Sequence, residues 1–361
     1  MSRALLINLS FLIPQPTGLA TYAQQLLPHL RDLDPKLLIP EPLDTWDCHP
    51  VPAGMTSDRG AKGHLKRLLW TQWRLPQRYQ RLGASLLFSP IPEAPLWSPC
   101  RTVVTAHDLI PLRFAPPRSR LRFYFRHYVP RVLHQAEHIL CNSDCTANDL
   151  MAFFQIPAAK LSPIPLAHDR DRFRFLDLPP EPYFLYVGRN DPYKNLPRAI
   201  AAFGQFCRTV PAARQVEFWI AGPGDRRYQS ALEQQVMDLG LTDRVKFLGY
   251  VAADRLPILL NQTLALVFPS LWEGFGLPLL EAMACGAPVL AGRRASLPEV
   301  GGDAVRWCDV ESIEDLARSM ADLAQDDDLR QQLRDRGLAR AQQFSWETTG
   351  RATADLLARF L

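Results

Sequence analysis

Short, continuous apolar runs alternate with segments of helical period along most of the chain. From Tyr183 onward, apolar runs at 184–187, 216–220, 245–248, 264–268 and 288–290 predict strands buried on both faces. Helical patterns near 195–208, 226–238, 253–260, 278–285 and 311–324 separate them, and such alternation predicts βαβ units on a parallel sheet. The first half repeats the pattern more loosely, with strands at 4–9, 37–39, 85–88, 102–106 and 138–141 and helices near 19–32, 64–82, 119–136 and 144–154. Between the halves, residues 161–182 are dense in Pro, Asp and Arg and lack any apolar period. The expected organisation is an α/β chain of two Rossmann-like doubly wound domains facing a cleft. Residues 1–165 form the first, 166–182 a linker and 183–343 the second, with a C-terminal helix at 344–361 that packs back on the first domain. Ligands of such folds sit at the carboxyl ends of the strands.

The length of 361 residues agrees with two domains. Hydrophobic residues at 47% and charged residues at 22% exclude a disordered, collagenous or coiled-coil chain. The 32 prolines show no period and read as punctuation between short elements. Seven cysteines, an odd number with no C-x2-C pair, suggest neither a disulfide framework nor a zinc site, and the expected compartment is reducing and cytoplasmic. Residues 4–13 are largely apolar, but Asn8 and Ser10 interrupt them, so a first buried strand is expected in place of a signal peptide. No stretch of 18 apolar residues is present to span a membrane.

The net charge of +4 is unevenly placed: residues 1–180 carry 21 Lys+Arg against 14 Asp+Glu, and the rest carry 20 against 23. Much of the excess lies around Trp70 and Trp73 and around Phe123, Tyr124, Phe125 and Tyr128. Basic, aromatic helices of this kind either meet anionic lipid at the inner face of a membrane or are solvated faces with their aromatics turned inward. Nucleic acid is not expected as a partner, because the total charge is small and no recognition motif accompanies the patches.

The richest chemistry lies in residues 264–290, which parse as strand, glycine loop, helix, strand. Gly274 and Gly276 permit close backbone approach to a ligand, Pro278 suits a first helical turn, and amides converging at a helix start favour an anion such as phosphate. Glu273 lies in the loop and Glu281 further into the helix. In 183–196 a strand ends at Gly188 and runs into a turn carrying Arg189 and Lys194; a guanidinium grips a diphosphate bidentately, and an ammonium adds a compact charge.

The Glu273-to-Glu281 spacing resembles the E-x7-E motif of GT-B retaining nucleotide-sugar glycosyltransferases, in particular family 4, the group 1 glycosyl transferases. The segment from Gly188 through Arg189 and Lys194 to Asn195 is similar to another element of that family. The resemblance implies that Glu273 and the loop Gly274, Phe275, Gly276 and Leu277 hold hydroxyls of the donor sugar. It implies that Glu281 holds the ribose, and that Gly18 contacts phosphate through its amide, although Ala20 stands where the family commonly has a second glycine. By the same resemblance, Tyr250 and Val251 lie at the nucleobase, and His107, at a strand end, matches the active-site histidine. Gly222 and Gly224 follow a strand as a nucleotide-contacting loop would, Asn142 and Ser143 end another strand and are expected to line the cleft, and the 296–300 segment fits the family pattern. Asp169 and Phe173 fit the family better than an Asp-x-Asp metal site at 169–171 does, so no catalytic metal is expected.

The resemblance therefore implies a retaining hexosyltransferase without a cofactor. It moves a sugar, with GDP-mannose as favoured donor, from a nucleotide-diphosphate sugar to a hydroxyl of a glycan or lipid-linked acceptor in polysaccharide or glycolipid biosynthesis. The catalytic residues implied are His107, Arg189, Lys194 and Glu273. The alternatives are a non-catalytic nucleotide-sugar-binding partner protein and an epimerase or phosphorylase of the same fold. Lys194→Ala and Glu281→Ala are each expected to cut turnover with little loss of folding.

Overall fold

A computed structural model of the chain describes residues 4–13, 18–56, 59–211 and 215–361. It forms two compact units, one comprising Met1–Leu166 with Ser345–Leu361 and the other Ala167–Phe344.

The first unit is built on a sheet of seven parallel strands: β1 (Ala4–Asn8), β2 (Lys36–Ile39), β3 (Asp47–Pro50), β4 (Ala84–Ser89), β5 (Thr102–Ala106), β6 (His138–Cys141) and β7 (Leu161–Pro163), ordered β3-β2-β1-β4-β5-β6-β7. Its helices are α1 (Gly18–Leu26), α2 (Gly60–Arg81), α3 (Ile110–Phe114), α4 (Arg120–His127), α5 (Val129–Gln135) and α6 (Asp144–Phe154). In α2, Arg67, Trp70, Thr71, Leu75 and Tyr79 are buried, a stripe at spacings of three and four that seats one face of the helix on the sheet. The pattern expected as one helix over 119–136 is divided. Pro130, in the first turn of α5, has no N–H to continue the ladder of α4. Similarly, α1 stops at Leu26 and a 3-10 turn, Leu27–Leu33, follows with Pro28 near its start.

The second unit carries six parallel strands: β8 (Tyr183–Val187), β9 (Glu217–Ala221), β10 (Val245–Gly249), β11 (Ala265–Phe268), β12 (Val289–Gly292) and β13 (Val305–Cys308), ordered β10-β9-β8-β11-β12-β13. The helices are α7 (Leu196–Thr209), α8 (Arg226–Asp238), α9 (Arg255–Gln262), α10 (Leu277–Ala284), α11 (Leu297–Gly301), α12 (Ile313–Gln325) and α13 (Asp327–Ala341). Phe184, Phe203, Phe206 and Phe218 are fully buried in one core cluster, each contributing about 2–3 kcal/mol of burial.

Three strands escape the sequence pattern: β3, β7 and β13. All three are sheet edges, where one side lacks a neighbour and a continuous apolar run is not needed. The start of the proline-rich 161–182 segment is therefore strand β7, paired with β6 and ahead of the expected linker. Residues 167–182 pack within the second unit, where Phe173 is buried and Asn261 accepts from the Leu176 amide at 2.7 Å and donates to the Arg174 carbonyl at 3.0 Å. The final helix, α14 (Trp346–Phe360), belongs to the first unit. Its Thr349 hydroxyl donates to the Pro165 carbonyl at 2.7 Å. Gly350 leaves no space for a side chain beside His29, since a Cβ there would come within 2.3 Å of it.

In each sheet the order reverses once, between β1 and β4 in the first and between β8 and β11 in the second. Loops on either side of such a reversal leave in opposite directions and open a crevice at the carboxyl edge.

Candidate functional site

In the second unit the residues singled out by sequence converge on that reversal. Gly188 follows β8 and Gly222 follows β9, and they meet so closely that a Cβ on Gly222 would lie 2.0 Å from the Gly188 carbonyl oxygen. The Gly188 amide donates to the Ala221 carbonyl at 2.9 Å and the Gly222 amide to the Gly249 carbonyl at 2.8 Å, tying together the ends of β8, β9 and β10. Gly222 thus has a packing reason to be glycine, whatever it binds. Tyr250, next to Gly249, is exposed, and Val251 is half-buried.

The turn after Gly188 is wired from several sides. The Tyr186 hydroxyl donates to the Arg189 carbonyl at 2.6 Å, and the Asp225 amide donates to Asn190 Oδ1 at 2.5 Å. Asn195 adopts a left-handed conformation with φ 59° and donates to the Val310 carbonyl at 2.7 Å. This scaffold holds Lys194, whose Nζ lies 2.6 Å from Glu273 Oε1 with both side chains nearly buried and 5.4 Å from the centroid of the Phe268 ring. Arg189 is different. Its side chain is 60% exposed and only loosely paired, at 3.3 Å to Asp191 and 3.7 Å to Asp225, while Arg227 engages Asp225 more closely at 2.5 Å. Its hydrogen bonds hold the Asp225 carboxyl down at about 2. Arg189 is thus more available to an incoming anion than Lys194.

From the other side of the reversal come Glu273, Gly274, Phe275 and Gly276, all buried. Ser296 is fully buried, and its hydroxyl is 2.9 Å from the Glu273 carbonyl and 3.0 Å from the Phe275 carbonyl, bracing the loop from within the fold. Gly276 has φ +104°, and a Cβ there would meet Leu297 at 2.7 Å. It is the cap residue of α10, which has no side-chain cap, so amides at Gly276 and the half-buried Leu277 face the loop region, where an anion is favoured.

Glu281 lies within α10, partly exposed by area but densely surrounded. Burial pushes its carboxyl up to about 8, with Arg172 pulling it down and Asp169 adding to the rise. The sequence pairing of Glu273 with Glu281 by spacing gave no hint of these neighbours. Asp169 accepts from the amides of Asp171 and Arg172 at 3.1 and 3.2 Å, and Arg172 donates to the Ala253 carbonyl at 2.8 Å. The functional pattern missed Arg172, Ser296's bracing role and Asn190, because each acts through contacts remote in sequence.

The first unit presents its own carboxyl edge. Gly18 begins α1, with open space around its Cα; Thr17, from the same segment, lies outside the described residues. His107 follows β5. Its Nε2 lies 2.9 Å from the Pro90 carbonyl, and since a carbonyl only accepts, the proton sits on Nε2 and Nδ1 carries the lone pair. Burial lowers its pKa to about 4, and the Tyr22 ring packs edge-on at 4.9 Å. Asn142 and Ser143 are buried at the end of β6; Ser143 caps α6 by accepting from the Thr146 amide at 3.0 Å, and Thr146 donates to Asn142 at 3.0 Å. At the ends of β1 and β2 a cavity of about 450 Å³ is bounded by Ser10, Gln24, Glu41 and Arg59.

A family profile described as "Glycosyl transferases group 1" matches residues 168–340, and one described as "Glycosyltransferase Family 4" matches residues 16–172. The chain is 32% identical over 262 residues to O-antigen chain mannosyltransferase B of Escherichia coli, covering 68% of this chain and 67% of that protein. The chain belongs to the family 4, group 1 glycosyltransferases. It spans only 33% to 57% of the length of other mannosyltransferases that it matches. Among solved structures it is similar to sucrose-phosphate synthase from Thermosynechococcus elongatus (TM-score 0.79, 20% identity, 99% of both chains). It is also similar to Anabaena HepE in complex with UDP-glucose (TM-score 0.75, 19% identity, 99% of both chains). These likenesses show the fold, which is GT-B, with two Rossmann-like units. Among the described residues of this glycosyltransferase, no helix is long and apolar enough to cross a membrane.

Proposed function

We propose that this glycosyltransferase moves a mannosyl group from GDP-mannose to a hydroxyl of a glycan or lipid-linked saccharide, with retention at the anomeric carbon, in polysaccharide synthesis. The observation that carries the reading is the Lys194–Glu273 pair at the reversal of the second sheet, set between exposed Arg189 and the uncapped start of α10. Named relatives that are mannosyltransferases support the choice of sugar.

In the proposed reaction the bond between the anomeric carbon and the phosphate oxygen breaks, its electron pair staying with the diphosphate. The acceptor oxygen bonds to the same face of the sugar, and its proton passes to a phosphate oxygen. Arg189 and Lys194 stabilise the charge that grows on the leaving group, together with the α10 dipole. Glu273 and the 274–277 loop hold sugar hydroxyls, Glu281 the ribose, and Gly188, Gly222, Tyr250 and Val251 border the nucleotide. His107, neutral and with the lone pair on Nδ1, is assigned to the active site on the strength of the family motif and adds no charge to the reaction. This reading assigns no metal or cofactor to the reaction.

The test is transfer from labelled donor with and without a saccharide acceptor, across GDP-mannose, UDP-glucose and UDP-galactose, with the anomeric configuration of the product determined by NMR. An α-mannoside from GDP-mannose is expected. Donor turnover without acceptor would indicate an epimerase or hydrolase, and turnover restricted to a UDP-sugar would overturn the choice of donor.

A further inference from the structure

Outside the site, the first unit carries an apolar groove between α2 and α4. It has a volume of about 1060 Å³ and is walled by Leu65, Leu68 and Leu69 on one side and Leu121 and Phe123 on the other, with Trp97 at the rim. Besides its buried stripe, α2 carries a second one: Leu65, Leu69 and Trp73, spaced by four, are 56%, 43% and 65% exposed. Opposite it, Leu121 and Phe123 are 50% and 67% exposed, and Trp97 is 88% exposed. An amphipathic helix needs only one apolar face to fold, so the second is unexplained by the core.

Charge identifies the occupant. No Asp or Glu occurs within 59–92 or within 109–136, the segments that form both walls, while Arg120 and Arg131 line the groove and Lys62, Lys66 and Arg126 are exposed nearby. The floor is rigid. Arg67 grips Glu93 at 2.7 and 2.8 Å, Tyr124 donates to the same carboxylate at 3.1 Å, and Gln72 donates to the Tyr128 hydroxyl at 3.0 Å. A protein partner would be expected to meet mixed charges. A surface with apolar centre, tryptophans at the margin and basic side chains unopposed by carboxylates in the wall segments matches a bilayer of anionic lipid, where apolar and electrostatic contributions add.

We propose that the α2–α4 groove docks this protein on an anionic membrane, taking one lipid chain between Leu69 and Phe123 and placing a headgroup phosphate against Arg120 and Arg131. The site is independent of the donor site and of the choice of donor.

The test is co-sedimentation of the purified chain with vesicles of phosphatidylglycerol in phosphatidylcholine, against phosphatidylcholine alone. Binding to the anionic vesicles only, weakened by salt, is expected. Leu69→Ser with Phe123→Ser should weaken partitioning about tenfold, and Arg120→Ala or Arg131→Ala about fivefold each, with unchanged melting temperature. Vesicles with brominated acyl chains should quench tryptophan fluorescence in the wild type, and less so in Trp97→Phe. Absence of vesicle binding at low salt, binding that the serine variant leaves intact, or a dimer in lipid-free solution that the serine variant dissociates would each overturn the proposal.

Discussion

The carboxyl edges of the two sheets are built from opposite materials. The edge of the second unit is charged and strapped: an almost buried Lys194–Glu273 pair, the exposed guanidinium of Arg189 and glycines too crowded to be replaced. At the ends of β5 and β6 the first unit relies instead on uncharged hydrogen bonds: Asn142, Ser143 and Thr146 bond to one another, and His107 is held uncharged against a carbonyl. A diphosphate leaving group needs concentrated positive charge, whereas an acceptor hydroxyl needs only neutral donors and acceptors. The difference is therefore what a transferase with divided labour between its units would require.

The sharpest way to break this contrast is to empty the charged edge. Lys194→Met should lower kcat by about a thousandfold or more, on the scale seen when a group stabilising transition-state charge is removed. It should also destabilise the fold by roughly 3–5 kcal/mol, because Glu273 is then left buried and uncompensated. The near-burial of both side chains argues against the sequence expectation that loss of Lys194 would spare folding. Adding Glu273→Gln should recover most of the stability and none of the turnover. Urea melts and steady-state rates of the two single variants and the double variant check both halves, and full activity in Lys194→Met would remove the charge argument.

Glu281 sharpens the contrast through pH. Its carboxyl titrates at about 8 in the fold against 4.5 in the unfolded chain, so the native state binds more protons between those values. Stability is accordingly greatest below pH 4.5 on this account and falls as pH rises towards 8. Glu281→Gln should match the wild type in acid and melt several degrees higher at pH 9, while donor affinity falls about tenfold for loss of a ribose acceptor. Melting curves at both pH values, with donor titration, measure it; a constant offset between variant and wild type would contradict the buried carboxyl.

The neutral edge makes a smaller prediction. Because His107 is lowered to about 4, its titration should leave no inflection in kcat between pH 5 and 8, and His107→Gln, whose amide can still reach the Pro90 carbonyl, should lower kcat by about tenfold without moving donor affinity. An inflection near pH 6.5 that disappears in the variant would show a charged histidine and dissolve the contrast. The smallest effect is expected at the brace: Ser296→Ala removes the one hydroxyl proton shared between the Glu273 and Phe275 carbonyls, about 1–2 kcal/mol, or a fall of roughly 2–8 °C in melting temperature.

Much of this was legible from periodicity. Central strands such as β8, β11 and β12 are buried on both faces, so they must be apolar throughout and stand out, while the edges β3, β7 and β13 carry Asp, His, Pro or Arg and do not. The glycine loop and the flanking glutamates were readable because tight backbone approach and a helix start leave local marks. The partners that tune them were not: Ser296 follows Glu273 by 23 residues, Arg172 precedes Glu281 by more than a hundred, and neither spacing has a period.

The amino-acid order alone thus determined two doubly wound units, the helix starts and the positions of cations and carboxylates, because these follow from local sterics and from which residues must avoid water. Tertiary structure alone decided that Lys194 pairs with Glu273, that burial keeps Glu281 protonated and His107 neutral, and that one stripe of α2 is left uncovered. Those outcomes depend on desolvation and on distances between segments far apart in the chain, quantities that come into being only when the strands are laid side by side.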